Sequence, residues 1–173
     1  MMRHVFPRGA VEWALEEPPA LRRLTLSLLA MSVVTGVAIR SLRTAALATS
    51  YGENWLLFAI MFALGGIVLF GMTTLFLGNY PIRTWPWRAP AFAALEVATE
   101  MAMSALFLAL GIELFGSMPA TWADWPVLLR SAMLTRIPAI CLYALVLAGV
   151  VQTVRTLLHR REMRESTTPR PVA

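Results

Sequence analysis

The run "ALEVATEMAMSALFLALGIELFG", residues 94–116, places three carboxylates in a stretch that is otherwise apolar: Glu96, Glu100 and Glu113. Glu96 and Glu100 stand four apart, so a helix presents both on one face. Carboxylates in apolar surroundings relay a proton, hold a cation, or neutralise an arginine. The next apolar run, residues 127–158, supplies two arginines, Arg130 and Arg136. If the two runs are antiparallel spans, Glu113 lies level with Arg130 near the outer interface. Arg136 lies ~9 Å along the axis from Glu100 at 1.5 Å per residue. Two long side chains close much of that gap. Pro138 frees a backbone carbonyl close by and loosens the helix there. Glu96, Glu100 and Arg136 therefore form a candidate intramembrane polar cluster. It reads as a buried ion pair fixing helix register, as a proton or ion relay, or as a protonated glutamate bonded to a neighbour.

Other chemistries lack their residues. The two histidines, His4 and His159, fall outside the apolar spans, so no span offers an axial imidazole to a haem. Glu96 and Glu100 lack the Glu-x-x-His partner of a di-iron bundle. Zincin, P-loop and dinucleotide-binding motifs are missing. Met101 and Met103 are too few for a copper path and read as gap-filling residues. The single cysteine, Cys141, lies in an apolar run and reads as a small apolar side chain. The expectation is no catalytic residue, no cofactor, no metal and no enzyme.

The elements that must position the cluster are membrane spans. Of 173 residues, 58% are hydrophobic and 14% charged, with a mean hydropathy of +0.64. Long apolar runs recur, as in an all-α integral membrane protein. Four spans are expected, near 24–39, 55–77, 91–115 and 127–158, packed as a bundle. The first, "LTLSLLAMSVVTGVAI", is short, and its helix is expected either to end near 39 or to continue to about 48. In the longer form Arg40 and Arg43 snorkel to the headgroups. Residues 1–23 form an N-terminal segment in which "GAVEWALEE" could lie in the interface as a short amphipathic helix, stopped by Pro18 and Pro19. Its charges leave no h-region, so the first span is expected to stay as an anchor. Residues 159–173 read as a basic, disordered tail.

Span three has two faces. Ala91, Ala94, Ala98, Ala102, Ala105 and Ala109 follow helical spacing and form one narrow stripe. Small side chains let another backbone approach, so the stripe reads as a helix-packing surface. Any membrane helix also carries such residues. The glutamates lie on the opposite side with Met103, Phe107 and Leu114, and that side needs protein or water as well. Span three is thus expected to be the central helix, or to present one flank to a partner.

All 15 basic residues are arginine. Eleven flank the spans on the side of the two termini, against Arg40 and Arg43 on the other. That bias places both termini in the cytoplasm, N-in and C-in, in the cell (inner, cytoplasmic) membrane. Two tryptophan-rich loops supply interfacial anchors: Tyr80, Arg83, Trp85, Trp87 and Arg88 in one, Trp122 and Trp125 in the other. Arg83 and Arg88 could also meet a lipid or a partner. The C-terminal arginines suit anionic lipids at the cytoplasmic face. No basic stripe with interleaved aromatics suggests nucleic acid.

Two functions fit. One is a structural or accessory membrane subunit that packs into a larger complex, with Gly65, Gly66 and Gly71 of span two as further close-packing positions. The other is a small, oligomeric, proton- or ion-coupled transporter or channel using Glu96, Glu100 and Arg136. A four-helix protomer has little room for a pore of its own, so the second reading requires a homo-oligomer.

Overall fold

A computed structural model describes residues 27–50, 54–116 and 118–167. Within them the chain forms four long helices: α1 (Leu28–Ser50), α2 (Trp55–Gly78), α3 (Trp85–Ala109) and α4 (Trp125–Thr167). All four are long and apolar enough to cross a membrane, the architecture of a multi-pass membrane protein. The expected helix in residues 1–23 lies outside the described residues, as do 168–173.

The helix ends follow local chemistry. The Ser27 hydroxyl accepts from the amide of Ala30 at the start of α1, and the Asn54 side chain accepts from that of Leu57 at the start of α2. Pro86 falls in the first turn of α3, where a missing N–H costs nothing. That lets α3 begin at Trp85 rather than near residue 91. It also ends earlier, at Ala109, rather than near 115. Gly111 takes φ +69°, its amide bonds the Leu108 carbonyl and the Ile112 amide bonds that of Phe107. This paired cap satisfies the terminal carbonyls and turns the chain back. Leu114–Phe115 and Met118–Pro119 then pair as a small antiparallel hairpin, Leu114 opposite Pro119 and Phe115 opposite Met118. Before α4, Asp124 accepts from both the amide and the hydroxyl of Thr121. These bonds hold its carboxyl below the usual range. Residues 159–167 of the expected disordered tail are helical, since α4 continues to Thr167.

Helices α1 and α3 are the most buried spans, while α2 and α4 expose most of their surface. One half of the bundle is an apolar core. There Phe76 of α2 stacks on Phe92 of α3 at 5.2 Å, with Met31, Leu69, Ala89 and Ile140 around them. Trp85, expected as an interfacial anchor, belongs to this core and donates its indole N–H to the Tyr80 carbonyl. Arg88 stacks over the Tyr80 ring, 3.5 Å from its centroid, and over Trp87 at 4.3 Å. Trp87 and Trp122 are exposed, as belt residues should be. Val97, Met101, Leu128 and Ala132 close the α3–α4 seam.

The alanine stripe lies on an outward flank of α3 rather than against another helix of the bundle. Ala94, Ala98, Ala102 and Ala109 are exposed, and Ala91 and Ala105 half-buried. The glutamate face turns inward instead. A charge facing lipid costs about 2.5–3.5 kcal/mol at a helix centre, whereas an outward alanine costs almost nothing, so the carboxylates decide which face is buried. The close approach comes from α1. A Cβ at Gly36 would lie 2.6 Å from the Glu96 carbonyl oxygen and 2.9 Å from the Glu100 amide nitrogen. Only glycine lets α1 and α3 meet there.

Candidate functional site: an arginine clamp inside the bundle

Helix α1 buries one stripe of small and polar residues. Ser32, Thr35, Gly36 and Arg40 all face α3 or the interior. The hydroxyls of Ser32 and Thr35 donate back to carbonyls of their own helix, Leu28 and Met31. They therefore need no outside partner. Arg40, one turn beyond Gly36, is fully buried and cannot be satisfied that way. It does not snorkel, because the Gly36 contact brings α3 within reach of its guanidinium.

Three acceptors converge on Arg40. Its Nε donates to Glu113 Oε2 at 3.0 Å, and its Nη2 lies 2.8 Å from Glu113 Oε1. That is the bidentate fork that suits a guanidinium to a carboxylate. Nη2 also donates to Ser104 Oγ at 2.7 Å, and Nη1 to Glu100 Oε1 at 3.3 Å. Glu113 reaches inward from the turn after α3. Its backbone is fixed there, its amide bonding the Phe107 carbonyl and its carbonyl the Ala120 amide.

Glu100 is the hub of the cluster. Besides Arg40, it meets Arg136 Nε of α4 at 3.5 Å and Arg43 Nη1 of α1 at 3.9 Å. The expected Glu100–Arg136 pair is thus present, as one contact of three. Glu113 and Arg130, expected level with each other near the outer interface, take different places: Glu113 is buried against Arg40, and Arg130 is exposed on α4. The glycine turn, rather than a continued helix, redirects Glu113. Glu96 is also fully buried, yet neither of its carboxylate oxygens has a hydrogen-bond partner among the described residues.

Beside the clamp lies a partly open cavity of about 590 Å³ between α1, α2 and α4, roofed at one point by Gly116 of the hairpin. Arg43 and Arg136 line it. Among the described residues, no three acidic, histidine or cysteine side chains converge as metal ligands. Sequence reasoning missed Arg40, Ser104 and Gly36. A signal was present, since Ser32, Thr35, Gly36, Ile39 and Arg40 repeat at helical spacing on one face of span one.

No family model matches this chain, and no curated protein and no solved structure matches it either.

Proposed function

We propose that this protein is a structural, accessory subunit of a larger membrane complex, with both termini in the cytoplasm of a cell that carries it in its inner membrane. The observation that supports this reading is the enclosure of the ionised groups. Arg40 ties α1 to α3 and to the hairpin, and Arg136 ties α4 to the same carboxylate. The opposite half of the bundle is apolar and stacked from Phe76 to Phe92. Charges cross-linked to one another beside an apolar half suit a rigid spacer better than a conducting path. Glu100 and Glu113 are spent on internal cross-links, which leaves the outward alanine ridge of α3 for a partner helix. The arginine excess beside the termini supports the orientation and contact with anionic lipid there.

A transporter remains the second reading, favoured by Glu96, a buried carboxylate without a partner beside a charged cluster. Purification in mild detergent separates the two. Stoichiometric co-purification of other membrane subunits supports the accessory role. A homo-oligomer alone, with Glu96→Gln abolishing ion flux in vesicles, overturns it.

A further inference from the structure

The cavity beside the clamp has an uneven chemistry. Its walls are mainly apolar, including Leu42, Leu47, Phe58, Phe62, Leu69 and Phe70. Two guanidiniums, Arg43 and Arg136, complete the lining, with side chains 34% and 24% exposed. Both face Glu100, but at 3.9 and 3.5 Å, longer than a good hydrogen bond. Arg40 takes the shorter contacts of Glu100 and both oxygens of Glu113. Three guanidiniums therefore share the paired carboxylates Glu100 and Glu113, and two of the three, Arg43 and Arg136, stand on the cavity side. A guanidinium carries five N–H donors, so Arg43 and Arg136 keep donors to offer there.

The glycines of α2 point the same way. Glycine inside a helix costs about 1 kcal/mol relative to alanine and needs a reason. Among the described residues, packing supplies none at two of the lining positions. A Cβ on Gly66 would meet nothing within 4 Å, and one on Gly65 only Ile39 Cδ1 at 4.0 Å. Both glycines line the cavity, and their missing side chains keep it open.

The geometry points to this cavity as a binding site for an anionic membrane lipid, its phosphate between Arg43 and Arg136 and its hydrocarbon chain along α2. The volume of about 590 Å³ lies inside the roughly 300–1,000 Å³ range of small-molecule sites. The apolar walls call for a chain rather than a free anion, and the arginines for a charged head rather than a neutral one. The site is carried by its own residues and does not depend on the accessory role.

The test uses the full chain in detergent micelles and native mass spectrometry. Three probes are added separately: phosphatidylglycerol, phosphatidylcholine and inorganic phosphate. Phosphatidylglycerol is expected to be retained at least about tenfold better than phosphatidylcholine, whose choline cation offsets the phosphate's charge and is repelled by the two guanidiniums. Arg43→Gln and Arg136→Gln should each remove most of that preference. Gly66→Leu adds bulk to the cavity from a position where a Cβ meets nothing within 4 Å; it should abolish retention, and a thermal transition no lower than that of the parent controls for misfolding. Equal retention of the two lipids overturns the proposal, as does unchanged binding in Gly66→Leu. Full competition by inorganic phosphate also overturns it, because the site then takes a soluble anion.

Discussion

Arg40 and Glu113 stand 73 residues apart in sequence and form a two-pronged ion pair inside the bundle, at 3.0 and 2.8 Å. The pair joins the middle of one span to the turn that ends another. It makes the hairpin between α3 and α4 part of the packed structure.

Removing one partner leaves the other charged and unsolvated, which costs about 3–5 kcal/mol for buried pairs in soluble proteins. Glu113→Gln keeps the shape and one acceptor, so it should cost less than Arg40→Leu, which strands Glu113 and takes from Glu100 the closest of its three guanidiniums. Thermal unfolding in detergent should rank the two variants in that order. Hydrogen exchange at residues 112–120 should rise in both. Unchanged exchange there would mean that backbone bonds alone hold the hairpin.

Two glycines should respond in opposite ways. At Gly36 an added Cβ meets the Glu96 carbonyl at 2.6 Å, so Gly36→Ala forces α1 from α3 at about 1–3 kcal/mol. At Gly66 the Cβ has open space, and Gly66→Ala should stabilise by up to about 1 kcal/mol through helix propensity. Melting temperatures that move the same way in both would contradict the close approach at Gly36.

Span two was legible from the sequence because it is uncharged, and α2 spans Trp55–Gly78 as its composition requires. The Glu100–Arg136 contact was legible from helix rise, since antiparallel spans fix which residues share a level. Glu113 was not, because one left-handed glycine residue at 111 converts an extended span into a cap and a turn. Arg40 was hidden for a different reason. An arginine near the end of a short apolar run reads as a flanking charge, and only the Gly36 contact decides that it points inward. The alanine stripe was legible as a stripe, but not its direction. Spacing defines a face, while the relative cost of exposing glutamate or alanine chooses which side is buried.

The outward ridge gives the accessory reading a specific consequence. Ala98→Leu and Ala102→Leu add bulk at exposed positions of α3. The isolated protein should keep its stability within about 0.5 kcal/mol. Co-purification of partner subunits should fall, because small residues let helices approach in lipid. A large loss of stability in the isolated protein would instead place the ridge inside the fold.

Glu100 should dominate the energetics of the clamp. It is met by Arg40, Arg43 and Arg136, whereas Arg136 is partly exposed and, among the described residues, forms an ion pair with Glu100 alone. Glu100→Leu removes the shared counterion of three guanidiniums. Arg136→Leu removes one of three partners from a carboxylate that Arg40 still holds. The first should therefore cost several-fold more in thermal stability than the second. The double variant Glu100→Leu with Arg136→Leu should recover part of the Glu100→Leu loss, since one stranded charge is gone. Recovery should be incomplete, because Arg43 still lacks its counterion while Arg40 retains Glu113. A double variant equal to the sum of the singles would show the two residues to be uncoupled. Full recovery would show that Arg40 and Arg43 draw nothing from Glu100, and that the clamp is a set of separate pairs.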